Sequence, residues 1–213
     1  MIICPIDFSG KIPTSVSLTT MPCDFAENNL RIIDIHPPKG VKEEFGICVK
    51  HVTYEDREFA FRFVEWVHLM RIMGVTKIHL ANRFVHPDLL KVLNHFETKD
   101  FVEVLPFLEP SSVPDVKRTW EARTLELNMI NDCFYRVRHL YKYLAIVDPD
   151  EIITPVKPEI KTWHELLESI DLEGKKYDAY LSHNLIFPNV EAPLNPDIPP
   201  YHYILQHTRV KFE

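Results

Sequence analysis

Glycine is scarce in this chain: five in 213 residues, at positions 10, 40, 46, 74 and 174, about a third of an average usage near 7%. No two of them fall in a GxGxxG or GxxxxGKS/T array, so a backbone loop that cradles phosphate is excluded. Positive charge is also in deficit. Twenty-four Lys and Arg face 31 Asp and Glu, a net charge of -7, which argues against the clustered cations that hold a phosphate backbone, so no nucleic-acid partner is expected. No apolar run approaches the roughly 18 residues of a membrane span, and the opening Met-Ile-Ile-Cys-Pro-Ile is too short and uncharged for a signal peptide. The four cysteines (4, 23, 48 and 133) contain no CxxC, which excludes a zinc ribbon or a thioredoxin motif. They are too few for a disulfide scaffold. A Cys4–Cys23 bridge stays open for an oxidising compartment.

What is present is a soluble globular composition, 46% apolar and 26% charged, in a chain long enough for one domain with a real core. Residues 1–43 read as a β-rich lead-in, with short runs at Ile2–Ile6, Val16–Thr19 and Leu30–Ile35 between Pro, Asn, Ser and Gly. His36-Pro37-Pro38-Lys39-Gly40 reads as a break, and residues 44–213 form the core. There the pattern alternates strand and helix. Phe45–Val49 is apolar throughout, as a strand buried on both faces should be. Ala60, Phe63, Val64, Val67 and Met70 recur at helical spacing, with Gly74 where a C-terminal cap belongs. The pattern predicts strands at Lys77–Ala81 and Phe101–Phe107 around a short helix near Asp88–Asn94. A long helix from Thr119 to Lys142 follows, then the strand Leu144–Val147. Thr162-Trp163-His164-Glu165 spells a capping box for a helix through Ile170, and Tyr177–Phe187 and Tyr201–Val210 read as two last strands. Alternation of this kind predicts an α/β fold, a mainly parallel sheet flanked by helices. The chain stops at Val210-Lys211-Phe212-Glu213, in mid-strand by pattern, which predicts a truncated C-terminus.

The strongest chemical signal is Leu144-Ala145-Ile146-Val147-Asp148-Pro149-Asp150-Glu151. A buried strand runs into two aspartates which, at strand period, point the same way where parallel strands open to ligand. Two carboxylates held together repel unless a cation lies between them, and hard oxygen ligands suit Mg²⁺ or Mn²⁺ bridging to phosphate. Pro149 offers no amide, so sheet pairing should loosen there. The competing reading is a solvated acidic turn. Aspartyl phosphatases also carry Asp-x-Asp after an apolar strand, but they need Thr where this chain has Ile152, which disfavours a phosphohydrolase. His164-Glu165-Leu166-Leu167-Glu168 misses the zinc motif HExxH by its last residue and reads as a helix surface.

Over most of its length the sequence resembles glycosyltransferase family 92. The resemblance rests on Phe45-Gly46-Ile47-Cys48-Val49-Lys50, on Val64-Glu65-Trp66-Val67-His68 followed by Gly74-Val75-Thr76-Lys77-Ile78, and on Val102-Glu103-Val104-Leu105-Pro106-Phe107. Asn131-Asp132-Cys133-Phe134-Tyr135-Arg136 and the Asp148–Glu151 cluster complete it, and the Pro-rich, Cys-containing segment before residue 44 is similar to the family's lead-in. It implies a GT-A nucleotide-sugar domain in which Asp148 and Asp150 bind Mn²⁺ (or Mg²⁺) on the donor diphosphate, with Glu151 beside them. Lys50 and Asn82 then lie where such proteins hold the nucleotide, and Asn131 and Asp132 face the donor. The plainer readings are a surface lysine, a turn asparagine and internal polar contacts on a helix. The resemblance further implies an inverting transfer of galactose from UDP-galactose to a glycan or glycoprotein acceptor, on the lumenal side of the Golgi membrane. In that picture a membrane anchor and a metal-binding His lie outside this chain, and the catalytic base is unassigned. The alternative is a non-catalytic or truncated relative that binds nucleotide sugar and transfers nothing.

Overall fold

A computed structural model describes residues 13–33, 40–50, 52, 54–83, 85–106, 119–170, 177–183, 185, 195–199 and 201–206. In the lead-in, β1 (Ser15–Val16) and β2 (Leu30–Arg31) pair antiparallel. The Asn28 amide closes the segment between them, accepting from the Leu18 N–H at 2.8 Å and donating to the Leu18 carbonyl at 2.6 Å. The predicted run Ile2–Ile6 lies outside the described residues, as does Cys4. Cys23 is a free, exposed thiol.

The core is a four-stranded parallel sheet of β3 (Glu43–Val49), β4 (Lys77–Leu80), β5 (Val102–Val104) and β6 (Tyr141–Val147), in the order β5-β4-β3-β6. Helices α1 (Glu58–Ile72) and α2 (Pro87–Thr98) connect β3 to β4 and β4 to β5, and α3 (Thr119–Val137) leads into β6. The expected α/β sheet flanked by helices is therefore present. Alternation along β3 sends Phe45, Ile47 and Val49 into the larger core, with Phe63, Trp66, Val67 and Met70 of α1 and Leu89, Leu93 and Phe96 of α2. Cys48 points the other way, into a smaller core with Cys133 and Val137 of α3. Each fully buried Leu, Ile or Phe of this set contributes about 1.5–3 kcal/mol.

Helix ends follow local chemistry. After α1, Gly74 (φ +96°) donates to the Arg71 carbonyl and Val75 to the Met70 carbonyl, the paired bonds of a Schellman cap. After α2 the same pair recurs around Asp100 (φ +55°), whose carboxylate holds Lys77 Nζ. The capping box of α4 (Trp163–Ile170) is formed: Glu165 N–H donates to Thr162 Oγ1 at 3.2 Å, and Thr162 N–H to Glu165 Oε2 at 3.1 Å. The Lys161 N–H, also on Glu165 Oε2 at 2.6 Å, and then that of Thr162 hold the Glu165 carboxyl below its ordinary value.

Three expectations are corrected. The long helix ends at Val137 rather than Lys142, because Glu43 N–H takes the Leu140 carbonyl and Tyr141 pairs with Glu43 as the first rung of β6. No strand forms over the described part of Tyr177–Phe187. Within Tyr201–Val210, the described residues hold a short helix, α5 (Tyr203–Gln206). Its first amides need acceptors, and the buried carboxylate of Glu65 on α1 supplies them, accepting from Ile204 N–H at 2.9 Å and Leu205 N–H at 3.0 Å.

Cys48 and Cys133 form a disulfide that ties the central strand to α3. Beside it, Tyr141 crosses over Gly46 to reach His79 Nε2 at 2.7 Å. A Cβ at Gly46 would lie 2.5 Å from that ring, so only glycine lets the tyrosine pass. His79 is fully buried. Its Nδ1 lies 2.9 Å from Glu103 Oε2, in imperfect hydrogen-bond alignment. That contact still holds the Glu103 carboxyl below its ordinary value, while burial raises the Tyr141 phenol well above its own.

Candidate active site

From β3 the chain steps through β4 to β5 on one side, then returns through α3 to place β6 on the other side of β3. The strand order thus reverses between β3 and β6, and in open α/β sheets ligands bind at the carboxyl ends of the strands at such a switch point. Lys50 follows β3 and Asp148 follows β6, so both stand at that point.

The last rung of the pairing is Val49↔Val147, so the ladder stops before Pro149 as its missing amide dictates. Asp148-Pro149-Asp150-Glu151 then forms a turn, with Glu151 N–H donating to the Asp148 carbonyl at 3.0 Å. The two aspartates are therefore turn residues, and strand period does not govern their directions. Proline at the second position of a turn is pre-set for this shape. Two further bonds fix it. Glu151 Oε2 accepts from Asp148 N–H at 2.9 Å, and Trp66 Nε1, on the buried face of α1, donates to the Glu151 carbonyl at 2.8 Å.

Lys50 Nζ donates to Asp148 Oδ2 at 2.7 Å, with the two side chains 29% and 32% exposed. This bond above all raises the Lys50 ammonium above its ordinary value, and Glu151 and Glu126 of α3 add to it. Asp150 is shifted the other way for a carboxylate: desolvation, then the charges of Asp148 and Glu151, raise its carboxyl although the residue as a whole is exposed. Burial and the same acids push the Tyr54 phenol up to about 12. The Tyr54 ring stacks on Phe59 at 3.5 Å between centroids, and its carbonyl accepts from His86 N–H at 2.9 Å.

Asn82 lies one strand away. Past Lys50 the chain makes one more parallel bridge, Val52↔Asn82, with Val52 N–H on the Ala81 carbonyl at 2.9 Å. Asn82 lines an open hollow of about 500 Å³ with Glu55, Arg83, Val85, His86, Pro87 and Leu90. The other two candidates have partners on their own helix. Asn131 is exposed and donates to the Leu127 carbonyl at 2.8 Å, and Asp132 takes Arg136 in a two-pronged ion pair at 2.8–3.2 Å. The structure thus brings Lys50, Asp148, Asp150 and Glu151 together, sets Asn82 at the adjacent strand end, and leaves Asn131 and Asp132 with these α3 contacts. Trp66, Tyr54 and Glu126 were not legible as site residues; Trp66 reads as core by spacing, and nothing in the sequence joins Glu126 to Lys50.

Among the described residues no group of three or more His, Cys, Asp or Glu is arranged to hold a metal ion. The carboxylates left at the turn are Asp150 and Asp148, the latter already taking Lys50 Nζ, since the Glu151 carboxylate accepts from a backbone amide. By donor type alone, two such oxygen ligands would suit a hard divalent ion that keeps water or phosphate oxygens for its remaining positions, as Mg²⁺ does. The near-miss of the zinc motif is a helix surface: His164 Nδ1 is 2.7 Å from Glu44 Oε1, and this bond raises its pKa.

Among the described residues no helix is long and apolar enough to cross a membrane. No curated protein and no solved structure matches the chain. The sequence model of glycosyltransferase family 92 matches residues 43–209, which takes in the whole sheet, the switch point and the acidic turn. With its parallel α/β sheet of GT-A type, the chain belongs to glycosyltransferase family 92.

Proposed function

We propose that this glycosyltransferase is a metal-dependent, inverting enzyme that moves galactose from UDP-galactose to a glycan or glycoprotein acceptor. The observation that carries the reading is the Lys50–Asp148 ion pair, with Asp150 two residues on in the same acidic turn, at the reversal point of the sheet. Asp148 and Asp150 would hold Mn²⁺ or Mg²⁺, which when bound neutralises charge developing on the diphosphate leaving group. Lys50 supplies a second cation at the same place, and Asn82 and the hollow beside it receive the nucleoside. In the transfer, the acceptor hydroxyl oxygen bonds to the anomeric carbon as the bond from that carbon to the diphosphate oxygen breaks. The hydroxyl proton passes to a general base, and UDP departs with the bonding electrons. The buried Cys48–Cys133 disulfide supports an oxidising compartment, in keeping with the Golgi lumen.

A second reading, a relative that binds nucleotide sugar without transferring it, draws on Lys50 already neutralising Asp148 and on the two-carboxylate donor set. A thermal-shift panel of UDP, GDP and CMP with and without Mn²⁺, followed by donor hydrolysis with a set of UDP-sugars, separates the two. The enzyme reading expects UDP with Mn²⁺ to raise the melting temperature, GDP less, CMP not at all, and UDP-galactose to be turned over fastest. Equal shifts for UDP and GDP, or a UDP shift that ignores the metal, would remove the donor assignment; binding without turnover would favour the second reading.

A further inference from the structure

We infer that Lys50 is a tethered counter-cation that makes divalent metal and nucleotide diphosphate bind together rather than separately, an inference that rests on the donor reading above. The acidic turn is fixed on three sides: Glu151 Oε2 holds the Asp148 amide, the Asp148 carbonyl holds the Glu151 amide, and Trp66 holds the Glu151 carbonyl. The flexible partner is the Lys50 side chain, on a four-carbon stem at a part-exposed position. Its ammonium sits 2.7 Å from Asp148 Oδ2, against the carboxylate a metal would use.

A dication arriving alone meets that ammonium and must displace it, at a cost in like-charge repulsion. A diphosphate arriving alone meets Asp148, Asp150 and Glu151, a net negative turn. Arriving together, each ligand would meet an opposite charge. Asp148 would then hold the metal, and the released Lys50 ammonium would donate to a phosphate oxygen. Lys50 therefore carries a coupling free energy between the two ligands, and such coupling is reciprocal. Removing its charge should strengthen binding of metal alone, weaken binding of the diphosphate, and shrink the help that each gives the other.

The test is the Mn²⁺ dissociation constant of the full chain with and without saturating UDP. It is read by calorimetry and by the electron paramagnetic resonance signal of free Mn²⁺, and corrected for the Mn²⁺–UDP complex in solution. Wild type should bind Mn²⁺ at least tenfold more tightly with UDP. In Lys50→Met that ratio should fall by tenfold or more, mainly because the metal binds better alone, while Lys50→Arg should keep most of it. Lys50→Gln serves if the methionine variant loses its circular-dichroism signature. An unchanged ratio in Lys50→Met, or an equal collapse in Lys50→Arg, would overturn the coupling role. Failure of wild type to bind Mn²⁺ with UDP at all would instead overturn the donor reading, and this inference with it.

Discussion

Replacing both cysteines of the bridge, Cys48→Ala with Cys133→Ala, should lower stability by several kcal/mol. The disulfide joins residues 85 apart, and closing a loop of that length removes about 4.6 kcal/mol of unfolded-state entropy at 25 °C in the chain-entropy model. The enclosed segment carries α1, β4, α2, β5 and most of α3. A domain holds only about 5–15 kcal/mol in all. At 2–4 °C per kcal/mol for chains of 150–250 residues, the variant should melt roughly 9–18 °C below wild type. Both sulfurs are sealed, Cys48 at 0% and Cys133 at 2% exposure. Dithiothreitol should therefore leave the folded protein unchanged and act only once it unfolds, so that refolding under reducing conditions reproduces the variant. Scanning calorimetry of oxidised wild type, reduced and refolded wild type, and the double variant checks each point. A double variant melting within about 3 °C of oxidised wild type would refute the entropic argument.

Other outcomes follow from the same structure. On the proposed metal-dependent reading, Asp148→Asn and Asp150→Asn should each fold nearly normally, since Asp150 is disfavoured by neighbouring acids and the Lys50–Asp148 pair is part-exposed, yet cut transfer a hundredfold or more in a donor-turnover assay, because a metal held there would supply several kcal/mol of charge stabilisation at about 1.4 kcal/mol per tenfold. Gly46→Ala should cost about 1–3 kcal/mol by overpacking against Tyr141, and urea melts of the single and double variants should show less damage when Tyr141→Ala accompanies it. Tyr141→Phe should cost about 1–3 kcal/mol by leaving the buried His79 Nε2 unpaired. Glu103 has a folded pKa below its ordinary 4.5, so its contribution is present above that pH and is lost as pH falls through the lower folded value. Urea midpoints of Glu103→Gln between pH 3 and 6 should accordingly fall less steeply on the acid side than those of wild type.

Much of the sheet and the acidic turn was legible because their signals are local. The apolar run Phe45–Val49, the helical spacing from Ala60 to Met70 with Gly74 after it, and Thr162 three residues before Glu165 each state their own structure. What failed was decided at a distance. Val137 and Tyr141 keep helical spacing, so nothing local marks the end of α3; Glu43, almost a hundred residues earlier, recruits Tyr141 into the sheet. Residues 203–206 are β-type by composition, and Glu65 turns them into a helix by offering two acceptors from 139 and 140 residues away. The disulfide partners were unreadable for the same reason: Cys48 and Cys133 face one another only once β3 and α3 are layered. At the site, the aspartates, Lys50 and Asn82 lie at strand ends that the pattern itself located. Trp66 looks like any other core residue until its ring nitrogen finds the Glu151 carbonyl.

The missing side chain at Gly46 also bears on how the sheet aligns itself. Parallel strands of continuous apolar sequence are poorly keyed to one another, since a neighbouring register buries nearly as much surface, and a slip by one residue exchanges the two faces of the strand. Here β6 can lie flush on β3 only where its first tyrosine finds the one position without a Cβ. A slip would bring Phe45 or Ile47 beneath the ring and strip His79, on β4, of its tyrosine partner. The notch at residue 46 thus works as an alignment key. By fixing how far along β3 the sixth strand sits, it sets Asp148 level with Lys50 at the far end of the same two strands.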